Sequence, residues 1–175
     1  MSDFRIADER LYGQYLLHLD FNYKDKVVLD IGAEVGTSAD FFIQKGAKFV
    51  WCIEGDPHEA SLCQQNINKF FPNKALAIPY WIDSPYGFER LFSAYGATSS
   101  LPSDIIKIDI EGWECCLLSM NDEIFAAQKE YIIDTHSKLL TKLISEKLIK
   151  NGFTILKDNI GDVIHAIKGT TDRVD

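Results

Sequence analysis

KVVLDIGAEVG, Lys26–Gly36, is the stretch that decides the fold. Val27, Val28 and Leu29 form a short apolar run that predicts a buried strand, closed by the acid Asp30. Two glycines follow, Gly32 and Gly36, then Thr37 as a candidate N-cap and a helical stretch over Ser38–Lys45. Glycine at a strand-to-helix turn lets a ligand approach the backbone closely, facing the N–H groups of the helix. The dinucleotide fingerprint G-x-G-x-x-G would require glycine at position 34. Glu34 stands there, and an acid in the loop opposes a pyrophosphate by like-charge repulsion. The loop suits a zwitterionic or cationic ligand better. Taken alone, the same pattern also describes a plain βα turn.

Working outward, Phe49–Ile53 (FVWCI) is a second apolar run, again ending in an acid, Glu54. Carboxylates at the C-terminal ends of neighbouring strands recur in open parallel sheets, whose ligands bind beyond those ends. Glu54 lies about 20 residues past the glycine turn, where an acid reaches ribose hydroxyls. The blander reading is a solvated loop acid. In either case a loop carboxylate at the mouth of a crevice is expected to support little packing, so that its loss should barely change stability. Asp56 and Pro57 read as the N-cap and first residue of the next helix. Ala75–Ile82 is a third strand ending at Asp83, and Pro79 inside it points to a sheet edge. Ser84–Ser103, with Tyr86, Phe88, Phe92 and Tyr95, shows little periodicity and reads as a long binding loop or lid.

Ile105–Ile110 is the fourth strand, carrying Asp109 and leading into Glu111-Gly112-Trp113-Glu114. Three carboxylates so close together repel one another, so a functional use outweighs a structural one. Tyr131–Ile133 is the fifth strand, followed by Asp134-Thr135-His136, and then a helix over Leu139–Lys150. Phe153–Leu156 and Val163–Ile167 flank the turn residues Asp158-Asn159-Ile160-Gly161 and read as an antiparallel hairpin. Leu11, Tyr15, Leu16 and Leu19 have helical spacing, so an N-terminal helix within residues 1–20 is expected, with a frayed tail over 170–175. The order predicts a three-layer α/β sandwich, Rossmann-like, mostly parallel, with a C-terminal antiparallel hairpin.

The 175 residues fit a single domain, 1–175. No apolar run approaches the roughly 20 residues that span a bilayer, and MSDFRIADER lacks the order of a signal peptide. Cys52, Cys63, Cys115 and Cys116 form no C-x-x-C pair and read as reduced thiols of a cytoplasmic protein. The formal charge of −8 disfavours a large nucleic-acid partner, which needs a basic face.

VVLDIGAEVG, CIEGDP, IIKIDIEGWE and IIDTHS, in this order over Lys26 to about His136, resemble the class I S-adenosylmethionine-dependent methyltransferases. Among them the chain looks like the FkbM family, which carries an LD-x-GA-x-x-G turn, an E-x-x-P after the second strand, a K-x-D-x-EG-x-E box and a later acid-x-H. Lys107, Asp109, Glu111, Gly112 and Glu114 match the box, its most specific motif. The family usually has asparagine where Glu34 stands.

The resemblance implies S-adenosylmethionine as cofactor. Gly32, Ala33, Glu34 and Gly36 would hold its methionine end, with Asp30 near the ammonium. Glu54, with Gly55 beside it, would take the ribose diol, Asp83 the adenine amino group, and Asp109 would lie near the sulfonium. His136 is the candidate general base, since its ordinary pKa lies near neutrality, with Glu111 or Asp134 orienting it. The alternative is a capping or core histidine. Hard oxygens and an imidazole from Asp109, Glu111 and His136 suit magnesium or manganese, a minor alternative; the spacing matches no recognised metal motif, so no metal is assigned. The expected activity is O-methylation of a small-molecule or sugar hydroxyl, the oligomeric state being open. A cofactor-binding regulatory protein without turnover is the alternative, followed by a nicotinamide-dependent oxidoreductase.

Overall fold

A computed structural model describes residues 22–156 and 162–169. The expected N-terminal helix and the tail beyond Gly169 lie outside the described residues. Seven strands, β1 (Val27–Ile31), β2 (Phe49–Glu54), β3 (Ala75–Pro79), β4 (Ile105–Ile108), β5 (Glu130–Asp134), β6 (Phe153–Ile155) and β7 (Val163–Lys168), form one sheet in the order β3-β2-β1-β4-β5-β7-β6. Pairing is parallel among β1, β2 and β3 and between β4 and β5, and antiparallel at β7 and β6. The expected Rossmann-like α/β class with a C-terminal antiparallel pair is therefore what the chain adopts. By contact density the chain divides into two compact units, between Trp81 and Ile82.

In the first unit, β1 (Val27–Ile31) pairs with β2 (Phe49–Glu54), and β2 with β3 (Ala75–Pro79). The apolar runs bury Val28, Leu29, Ile31, Val50 and Ile53. Helix α1 (Thr37–Gln44) packs Phe41 and Phe42 against Tyr23, at ring separations of 5.8 and 5.1 Å. Thr37 is not its N-cap. Gly36 takes that place with φ 94°, a left-handed conformation that costs glycine nothing, and Thr37 is the first helical residue. Helix α2 (Pro57–Phe70) starts as expected, with the Asp56 carboxylate accepting the N–H groups of His58 and Glu59 at 2.7 and 3.1 Å. Strand β3 is an edge strand, as Pro79 required, but it stops at Pro79 rather than Ile82.

The second unit opens with a correction. Ser84–Ser103 is no extended lid, because Pro85–Tyr95 is a helix, α3. Ser84 caps it by accepting the N–H of Gly87 at 3.2 Å, and Pro85 stands where its missing N–H costs nothing. Phe88, Leu91 and Phe92 form its buried face. Strands β4 (Ile105–Ile108) and β5 (Glu130–Asp134) are parallel, and β7 (Val163–Lys168) runs antiparallel to both β5 and β6 (Phe153–Ile155). A 3-10 helix (Trp113–Ser119), α4 (Asp122–Ala126) and α5 (Lys138–Lys150) complete the unit. Phe125 stacks on Tyr131 at 4.9 Å, and Phe153 meets the same ring at 5.3 Å. These rings form the aromatic centre of the unit's core.

Strand β4 is shorter than the expected Ile105–Ile110. The reason is local: the N–H of Ile110 donates to the Glu114 carboxylate at 2.6 Å, which takes that residue out of the ladder. Among the described residues, no helix is long and apolar enough to cross a membrane.

Candidate functional site

In the first unit the glycine turn and the end of β2 are tied together by one carboxylate. Glu54 Oε2 accepts the N–H of Glu34 at 2.8 Å, and Oε1 accepts the N–H of Asp56, also at 2.8 Å. The residue is only 8% exposed. It is therefore not a solvated loop acid, and the expectation that it supports little packing fails, because the carboxylate holds two backbone N–H groups. Each carboxylate oxygen has two lone pairs, so both can accept a further hydrogen bond. Gly55 lies beneath the indole of Trp81, where an added Cβ would come within 2.4 Å of the ring. Only glycine allows that approach.

The turn itself is held from both sides. The N–H groups of Gly32 and Ala33 donate to the carbonyl of Ile53 at 2.9 and 3.1 Å, and Asn66 Nδ2 donates to the Val35 carbonyl at 2.9 Å. Glu34 has φ 46°, a conformation that L-residues rarely take and that asparagine tolerates best among non-glycine residues. Asp30 belongs to β1 and is fully buried, and its Oδ2 accepts the Ser38 hydroxyl at 2.5 Å. Ser38 and Asn66 carry no motif, so the sequence reading passed over them.

In the second unit four carboxylates surround one imidazole. Asp109 Oδ1 and Glu111 Oε2 lie 3.4 and 3.7 Å from His136 Nε2. Glu114 Oε1 and Asp134 Oδ1 lie 3.8 and 3.9 Å from Nδ1. The three expected catalytic residues, His136, Asp109 and Glu111, are thus neighbours, and both suggested orienting acids are at the ring. Burial chiefly, with the charges of Asp109 and Asp162 adding, pushes the Asp134 carboxyl above its usual range, against the opposing pull of His136.

Glu114 is the residue that motif reading undervalued. Its side chain is wholly buried, accepting from Ile110 N at 2.6 Å and Gly112 N at 2.8 Å. It thereby holds a turn in which Glu111 (φ 55°) and Gly112 (φ 106°) are both left-handed. Asp109, Glu114 and His136 each bring one ligand-capable atom within 4.8 Å of the others, a spacing a hard cation could span. Asp83 is exposed just before α3, with its charge acting on Cys116. Burial first, then Cys115, then Asp83 and Glu114, raise the Cys116 thiol to about 11.

No protein-family model and no curated protein matches the chain. Solved structures do. Precorrin-6y C5,15-methyltransferase from Geobacter metallireducens superposes with a TM-score of 0.61 at 16% identity, covering 97% of this chain and 93% of that one. A protein of the NADB-Rossmann superfamily from Streptococcus agalactiae gives 0.64 at 14% identity, over 97% of this chain and 74% of that one. TrmK of M. capricolum, solved with the cofactor product S-adenosyl-homocysteine, gives 0.59 at 15% identity, over 98% and 73%. Likeness at these identities establishes the fold.

Proposed function

We propose that the chain is a class I, FkbM-like methyltransferase that uses S-adenosylmethionine and methylates a hydroxyl of a small molecule or sugar in the cytoplasm. The observation that carries this reading is the Glu54 carboxylate. It ends β2, is fixed by two backbone N–H groups, and retains lone pairs for a diol. A glycine turn bearing an acid, and the buried Asp30 behind it, suit the ammonium of an amino-acid moiety better than a pyrophosphate. The likeness to methyltransferase folds, one of them solved with the cofactor product, supports the same ligand.

When bound, the cofactor supplies an electrophilic methyl group on a sulfonium centre. The protein's work is then to hold two reactants in line and to receive one proton. In this reading His136 Nε2 would receive the proton that the acceptor O–H gives up. Asp109, beside that nitrogen, stabilises the imidazolium that results. The charge of −8 favours a small acceptor over a polyanion.

The test is to incubate the protein with S-adenosylmethionine and a panel of hydroxyl-bearing small molecules and sugars, following S-adenosylhomocysteine by mass spectrometry. Turnover should appear with a member of the panel and fall by about 10²–10⁴ in His136→Ala. Turnover with RNA and with no small molecule would overturn the acceptor assignment.

A further inference from the structure

We infer that Glu114 is a positioning residue for His136, holding the neutral imidazole with its proton on Nδ1 and leaving Nε2 as the accepting nitrogen, a role that bears on catalysis only under the methyltransferase reading above. Four carboxylates face the ring, so the question is which one claims the N–H. On the Nε2 side, Asp109 already has the Lys107 ammonium at 3.8 Å, and that lysine is only 3% exposed. Its countercharge cannot be lost to solvent. Glu111, the other acid on that side, is 82% exposed, so water screens it and its side chain is free to turn away.

The Nδ1 side differs in kind. The Glu114 side chain has no exposure, and each oxygen is anchored by a backbone N–H, at 2.6 and 2.8 Å. A fixed acid in a poorly screened place attracts an N–H more strongly than an exposed one at equal distance. Its 3.8 Å separation from Nδ1 is an ion-pair distance just beyond hydrogen-bond reach. Asp134, also on this side, lies 3.9 Å from Nδ1 and keeps 19% side-chain exposure, so water screens it where it cannot screen Glu114.

The ring's origin is fixed as well. His136 has φ 53°, and the preceding Thr135 donates both its N–H and its hydroxyl to the Asp162 carbonyl, at 3.1 and 2.7 Å. The backbone that carries the imidazole is therefore held at Thr135.

Nitrogen-15 spectra of the imidazoles in the full chain, recorded at alkaline pH and without cofactor, test this. His136→Gln assigns the signal. The wild-type ring should be the Nδ1–H tautomer. Glu114→Gln should move it largely to Nε2–H, Glu114→Asp should partly restore it, and Glu111→Gln should leave it unchanged. An Nε2–H wild-type ring overturns the assignment, as does a folded Glu114→Gln protein that keeps Nδ1–H. If Glu114→Gln does not fold, the wild-type tautomer and the Glu111→Gln control decide. A His136 signal that shifts on adding magnesium chloride would make the ring a cation ligand and also overturn it. Because no cofactor is present, this outcome is independent of whether the chain binds S-adenosylmethionine.

Discussion

The carboxylate of Glu54 accepts the backbone N–H of Glu34, twenty residues earlier, at 2.8 Å. One bond thus couples the end of β2 to the middle of the glycine turn. The acid that would meet a ribose also shapes the loop that would meet the rest of the ligand.

Glu54→Ala should therefore affect both binding and folding. It removes the acceptor of the Glu34 and Asp56 N–H groups, and because both of those residues are exposed, water can reach the freed donors. Stability should fall by about 0.5–1.5 kcal/mol, the net worth of an ordinary hydrogen bond. Affinity for S-adenosylmethionine should weaken by roughly 1.5–3 kcal/mol, the range for hydrogen bonds to a charged group. Urea denaturation without ligand measures the first, and a binding titration under native conditions the second. Unchanged urea stability would mean that the two backbone bonds do not hold the turn.

Glu34→Asn should stabilise the protein. The residue sits at φ 46°, where a non-glycine side chain other than asparagine or aspartate is strained by about 1–2 kcal/mol. Asparagine relieves part of this, so a gain of about 0.5–1 kcal/mol is expected from thermal denaturation. A loss would show that the glutamate side chain makes contacts worth more than the strain.

Acid should weaken the attachment of α4 to α5. Lys147 and Lys150 lie 2.9 and 3.1 Å from the Asp122 carboxylate and hold its pKa down to about 2, from an ordinary 3.8. A carboxyl depressed in the folded state stabilises it fully above the unfolded pKa, and the contribution is lost as pH falls toward the folded value. The window is thus about pH 4 to 2. Asp122→Asn should be less stable than wild type at pH 6, with the difference closing across that window in urea melts. A constant difference would assign the effect to packing instead.

Ser84→Ala should cost about 1 kcal/mol, since it removes the N-cap of α3. Urea denaturation measures it, and no change would mean that the capping bond carries little weight. This helix was hidden in the sequence. Gly87 and the aromatic side chains are poor helix formers, and they masked the helical spacing of Phe88, Leu91 and Phe92. The Ser84-Pro85 start was the available signal, and it argued for a helix where low periodicity argued for a loop.

The strands were far more legible. Val27–Leu29, Phe49–Ile53 and Tyr131–Ile133 are apolar runs bounded by acids, a pattern that a buried parallel strand explains directly. Asp109, Glu111 and His136 were likewise readable as one group, because successive parallel strands end on the same side of a sheet. What residue types could not convey was backbone conformation and burial. Glu111 and His136 adopt positive φ, which no residue identity announces, and a glutamate is rarely as fully buried as Glu114. Its burial follows from two backbone N–H groups that the tight turn at Gly112 leaves without other partners.

The most direct test of the account is calorimetric titration of the full chain with S-adenosylmethionine, with S-adenosylhomocysteine and NADH titrated in parallel. The methyltransferase reading predicts saturable one-to-one heats for the first two, weakened in Glu54→Ala, and none for NADH. Saturable binding of NADH, with no heat from either sulfur compound, would contradict it.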